Sequence, residues 1–117
     1  MKTIIKINKK EIDSIIIFTF LWELDETNTE EVFKIIYKDL WDSKKKKIIF
    51  NFKWLKYLNS KSIWYIANLF LHITDNHWEM YISEFNKDIK DILELVWITK
   101  IIPTINNVEE AIKELKK

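Results

Sequence analysis

The sequence predicts an α/β domain with a central, mostly parallel mixed sheet of about five strands and about four helices. Three observations predict it. Short β-branched and aromatic runs recur along the chain, such as residues 14–21 and 47–52. Between them lie stretches with apolar residues three and four apart, the spacing of an amphipathic helix. The chain has 117 residues, enough for one domain, 1–117, and too few for two.

Taken in order, residues 3–8 alternate, with Ile5 and Ile7 against Lys6 and Asn8, and read as an edge strand. Residues 14–21 are almost continuously β-branched or aromatic, which suits a strand buried on both faces. Residues 25–28 form a polar break containing helix-capping types. From Thr29, the residues Val32, Phe33, Ile36, Tyr37 and Leu40 mark a helix ending near Asp42. Residues 47–52 read as a second buried strand. Asn59 and Ser60 then cap a helix over 59–73, with Ile63, Ile66, Ala67, Phe70 and Leu71 inward. A turn at 75–77 leads to a strand, Glu79–Ser83, with Met80 and Ile82 on one face. Residues 86–96 form a helix carrying Ile89, Ile92, Leu93 and Val96. Residues 98–102 read as a last short strand stopped by Pro103, and Asn107 caps a final helix with Val108, Ala111, Ile112 and Leu115 inward. Strands alternating with helices require crossovers, which make neighbouring strands parallel; the short link after the first strand allows one antiparallel pair.

Composition excludes several classes of function. There is no cysteine, so disulfides, thiolate catalysis and cysteine metal sites are out. Net charge is +1, which gives no electrostatic reason to expect nucleic acid. No apolar run approaches the length that spans a bilayer, so direct membrane insertion is not expected. Residues 1–10 have charge but no long apolar run, so no signal peptide is expected and the location expected is cytoplasmic. His72 and His77 are too few and wrongly spaced for a metal, and no Ser-His-Asp set, P-loop or dinucleotide-binding word can be read. The run 44–47 of lysines reads as a solvated turn. The expectation is no metal, no cofactor and no enzyme.

Three local words carry a resemblance. Trp22-Glu23-Leu24-Asp25, followed by Thr27 and Thr29, resembles a G-x-L-D strand-to-helix word. Leu58-Asn59-Ser60-Lys61-Ser62-Ile63-Trp64 resembles hydrophobic-D-S-[ST]-G-hydrophobic-G. Residues 93–102 resemble L-x-x-x-G followed by hydrophobic positions. Together, in this order, they resemble the STAS domain family, the fold of anti-sigma factor antagonists. The resemblance implies a STAS-like domain and a non-enzymatic binding protein in a partner-switching system. It implies Ser60 as phosphoacceptor, with Asp25, Asn59, Lys61, Ser62, Ile63 and Trp64 in partner binding. The partner implied is a serine-kinase anti-sigma factor, with a phosphatase to reverse the switch. Departures are plain: the acidic residue of the signature is Asn59 here, the residue after the phosphoacceptor is Lys61, and a glycine is replaced by Ser62. They favour a second expectation, a stand-alone STAS subunit of a membrane-lipid ABC transport complex without a phosphoswitch. Independently of resemblance, Ser60 at a helix start is where free amides and the helix dipole favour an anion.

The composition also carries one anomaly. Glycine is 0 where about eight would be expected, and tryptophan is 6. Trp22, Trp54, Trp64, Trp78 and Trp97 fall where the STAS pattern has glycine, and Trp41 lies near a helix C-terminus, where glycine is common. The richness in Lys, Ile and Asn and the lack of Arg suggest an AT-rich genome, which would not favour the codon UGG. The expectation is that UGA encodes glycine in the source.

Overall fold

Ile15, Ile16, Ile17 and Phe18 are β-branched or aromatic at every position, and all four are buried. Such a run can only sit in a sheet covered on both faces. The computed structural model describes residues 7–43, 47–95 and 97–117, apart from the Ser43 side chain. Among them, the elements run β1 (Ile7–Ile12), β2 (Ile15–Leu24), α1 (Thr29–Ser43), β3 (Lys47–Leu58), α2 (Ser60–Asp75), β4 (Glu79–Ser83), α3 (Lys87–Leu95), a 3-10 turn (Ile98–Lys100), β5 (Thr104–Ile105) and α4 (Val108–Leu115). The strands stand in sequential order, β1-β2-β3-β4-β5. β1 and β2 are antiparallel, from Ile7 opposite Phe20 to Ile12 opposite Ile15, and every later pair is parallel. The α/β reading, the mixed sheet and the antiparallel first pair are all present.

The pleat divides the core in two. Ile16, Phe18 and Phe20 of β2 face the same side as Ile48, Phe50 and Phe52 of β3, and Met80 and Ile82 of β4. Val32, Phe33, Ile36 and Leu40 of α1, Ile63, Ile66, Leu69, Phe70 and Ile73 of α2, and Ile89 and Leu93 of α3 cover that side. Phe50 lies at its centre, its ring 4.8 Å from Phe20, 6.0 Å from Phe18, 6.1 Å from Phe52 and 6.4 Å from Phe33. On the opposite side Ile15, Ile17 and Ile49 meet Ala111 and Leu115 of α4. One helix covers this face, against three on the other.

Several boundaries differ from the expectations. The first strand is Ile7–Ile12, not 3–8; residues 3–6 lie outside the described residues, as do Lys44, Lys45, Lys46 and Val96. β3 runs on to Leu58, so Trp54 sits in a strand opposite Leu21, not in a turn. Its second half pairs only with β2, because β4 meets β3 through residues 47–51 alone. Leu71 is exposed, and the inward face of α2 is completed by Leu69 and Ile73.

The expected strand at 98–102 is a helical turn. The amides of Ile101 and Ile102 both donate to the Ile98 carbonyl. Ile98 and Ile102 are buried while Ile101 is 53% exposed. A spacing of four puts both isoleucines on one side of a turn, whereas a strand would have needed alternation. The last strand follows Pro103 and does not precede it. The Pro103 carbonyl accepts from the Ile82 amide, 3.1 Å, and opens the ladder to β4. A proline at the start of an edge strand loses no ladder donor.

Candidate functional site

The C-terminal ends of β2 and β3 meet where α2 begins. Leu24 stands opposite Leu58 at the last rung. The Asn59 amide then donates to the Leu24 carbonyl, 3.3 Å. This rung places residues 25–28, which leave β2, beside the start of α2.

Asn59 is the N-cap, with extended backbone at φ −102° and ψ 178°. Its Oδ1 accepts from the Ser62 amide, 2.9 Å, and the Ser62 Oγ accepts from the Asn59 amide, 2.9 Å. This reciprocal pair is a capping box, made here with serine in the place of the usual Glu or Gln. The Ser62 hydroxyl also lies 3.3 Å from the Leu24 carbonyl. Ser62 is fully buried and Ile63 is 9% exposed. Both therefore support the site from beneath, and neither offers the direct partner contact that the resemblance implies.

Ser60 and Lys61 are exposed at the first two positions of α2. Helix geometry gives their amides no intrahelical acceptor. The first turn contains no acidic residue. Trp64, four residues on, lies on the same face as Ser60 and is 60% exposed, its ring 5.4 Å from that of Tyr65. The Tyr65 hydroxyl reaches Glu30 Oε1 of α1, 3.4 Å.

The neighbouring loop is wired from within. Asp25 Oδ1 accepts from the Thr27 amide, 2.8 Å, and the Thr27 hydroxyl, 2.6 Å. The Thr27 hydroxyl bond holds the Asp25 carboxyl below its ordinary value of 3.8, against the upward push of its partial burial; the amides of Thr27 and Asn28 add to the lowering. Asn28, 3% exposed, accepts from the Asp25 amide at 3.1 Å and donates to the Glu23 carbonyl at 2.9 Å. The Thr29 hydroxyl donates to the Asp25 carbonyl, 2.6 Å. Asn28 and Thr29 thus fix the loop that presents Asp25. Nothing in the spacing singles out Asn28; its signal is an asparagine directly before the first residue of a helix.

The expected site residues are thus brought together: Asp25, Asn59, Ser60, Lys61 and Trp64 around one sheet end, with Ser62 and Ile63 below. His72 and His77 lie at the far end of α2. Among the described residues no group of three or more His, Cys, Asp or Glu could hold a metal ion. No described helix is long and apolar enough to cross a membrane.

Comparison with known proteins adds three findings. The family described as the STAS domain matches residues 6–111. No curated protein matches the chain. Solved structures share the fold. A proposed anti-sigma factor antagonist from Thermotoga maritima superposes with a TM-score of 0.89 at 19% identity, over 95% of each chain. An anti-sigma factor antagonist from Mycobacterium paratuberculosis gives 0.87 at 12% identity, over 96% of this chain and 94% of that one. The unphosphorylated form of the anti-sigma factor antagonist SpoIIAA gives 0.74 at 13%, over 94% and 97%. The Bacillus cell fate determinant SpoIIAA in its phosphorylated form gives 0.72 at 14%, over 93% and 98%.

Proposed function

The chain belongs to the STAS domain family, and from that premise we propose that it is a non-enzymatic regulatory binding protein of the anti-sigma factor antagonist kind, working in the cytoplasm and switched by phosphorylation of Ser60. The observation that carries the reading is Ser60 itself: exposed, at the first position of a helix whose cap is made by its neighbours. Its hydroxyl is free to be modified because Asn59 and Ser62 do the capping. A phosphate there gains orphan amides, the positive end of the helix dipole and the neighbouring Lys61. It would add nearly two negative charges without unfolding α2.

In the unphosphorylated state the protein would bind a serine-kinase anti-sigma factor through the start of α2 and the Asp25 loop. The kinase-borne phosphate would then end that binding by repulsion and lost contact, and a phosphatase would restore it. SpoIIAA, solved in both forms, resembles this chain almost equally in each, with TM-scores of 0.74 and 0.72. That supports a switch which edits a surface and keeps the fold. The residues that face a partner are Asp25, Asn59, Lys61 and Trp64, with Ser62 and Ile63 shaping them from below.

The test is phosphate incorporation and partner binding by S60A and S60D. S60A should take up no phosphate and keep binding; S60D should bind at least tenfold more weakly. Unchanged binding and incorporation in both variants would remove Ser60 from the mechanism. The uncharged Asn59 cap favours a second reading, a STAS subunit of a membrane-lipid ABC transport complex docking on its ATPase without a phosphoswitch. Neighbouring genes separate the two: a kinase or phosphatase supports the first, an ABC ATPase and permease the second.

A further inference from the structure

The phenylalanines and the tryptophans of this chain behave in opposite ways. Phe18, Phe20, Phe33, Phe50 and Phe52 are at most 1% exposed. Trp22, Trp41, Trp54, Trp64 and Trp97 are 44, 64, 48, 60 and 63% exposed, and only Trp78 is half-buried against the core. Tryptophan is normally among the well-buried residues. Of the other two phenylalanines, Phe70 is 9% exposed and Phe85 is half-buried against the core, so none is exposed as these indoles are. Their contacts are the incidental ones of surface rings, such as Lys56 5.4 Å above Trp22 and Lys100 4.5 Å above Trp97.

The backbone points the same way. Trp22 has φ 71° and Trp97 φ 65°. For a residue as bulky as tryptophan, the left-handed region is a steric outlier. Trp22 sits at a register shift in the β2–β3 ladder, between the Trp22–Leu55 and Glu23–Tyr57 pairs. A left-handed residue at such an irregularity is ordinarily glycine. Trp97 follows the end of α3, and its amide bonds back to the Glu94 carbonyl, 3.2 Å. That is the helix-terminating position where glycine dominates. Asp13, His77 and Glu84 also have positive φ, but none is as bulky as tryptophan, and Asp and His are types enriched in that region.

We infer that the six tryptophan positions are glycine positions in the protein as its source makes it, and that one codon, UGA, stands at all six. A single cause then accounts for the five exposed indoles, the two left-handed ones among them, and for the complete lack of glycine. The consequence for the surface is direct. Trp64 lies over the same face of α2 as Ser60, whereas Trp54 lines a groove with Val108, Glu109 and Ile112 of α4 on the other side of the sheet. With glycine at position 64 the surface beside Ser60 loses an exposed indole, and a partner can reach the backbone at the helix start. The inference does not depend on the phosphoswitch, since it concerns residue identity alone.

The test has two arms. The six codons are read from the gene, and peptides of the protein isolated from its source are weighed. UGA at all six, with peptides carrying glycine mass, is the expected result; UGG at any of the six, or peptides carrying tryptophan mass, overturns the inference. The backbone is tested in the recombinant chain by comparing glycine with alanine at the same site, which cancels the loss of the indole. W22G and W97G should each melt about 4 °C above W22A and W97A. W41G should melt below W41A, because that site lies inside a right-handed helix. If W22A and W97A match or exceed their glycine counterparts, the left-handed requirement is absent and its support for glycine falls.

Discussion

At the scale of single residues, the site depends on two small polar networks. Asn59 and Ser62 close the start of α2 between themselves. N59A should lose about 1 kcal/mol in urea denaturation, the usual worth of an N-cap, whereas N59D should keep it, because an aspartate accepts the same hydrogen bond and favours the helix dipole. Restoring the acid at this position therefore costs the fold nothing, and any change in partner binding by N59D reports on the surface alone. Asp25 is the second network. Its carboxyl is held below 3.8, the folded value lying under the unfolded one. A depressed carboxyl contributes stability fully above the unfolded pKa and loses it as pH falls through the folded pKa. The urea midpoint should therefore fall on acidification below about pH 4. D25N should lack that part of the fall, and its midpoint should converge on the parent's at the acid end. An identical acid profile for parent and D25N would show that the Thr27 hydrogen bonds do not act on Asp25.

At the scale of elements, the long runs were legible and the short ones were not. β2 announced itself through unbroken β-branched and aromatic residues, and α1 and α2 through their spacing, because burial of a whole face imposes a period. The 98–102 segment has three isoleucines in five residues, and without a second turn of sequence nothing separates a strand from one helical turn. The structure decides it through Ile98 and Ile102, both buried, with Ile101 outside. I101K should then stay within about 0.5 kcal/mol of the parent, and I102A should cost about 2–5 kcal/mol. Equal losses in denaturant melts would mean that Ile101 is buried too. The extension of β3 to Leu58 was hidden because its outer half alternates only weakly, with Lys53, Trp54, Lys56 and Tyr57 all exposed. Ser62 shows a further limit: the sequence places it in the signature word, and only the capping geometry shows that it is spent on the backbone.

At the scale of the whole molecule, one aromatic centre joins the layers. Phe50 touches rings from β2, β3 and α1. F50A should cost about 3–5 kcal/mol, a large share of the roughly 5–15 kcal/mol a domain possesses, and a thermal melt should show it. Such a loss would lower partner binding without touching the surface, so it serves as a control against which the Ser60 variants are read. The shared core with the sheet and α1 holds α2 in place, and the paired ends of β2 and β3 fix where it starts. A rigid helix start with an exposed serine suits a switch that changes charge and leaves the architecture alone. The measurement that bears on this most directly is titration of the chain with its serine-kinase anti-sigma factor and ATP, followed by peptide mass analysis and a thermal melt of the product. One phosphate on Ser60, an unchanged helical signal and at least tenfold weaker partner binding are the expected result. A phosphate elsewhere, or a Ser60 phosphate that leaves binding intact, would contradict it.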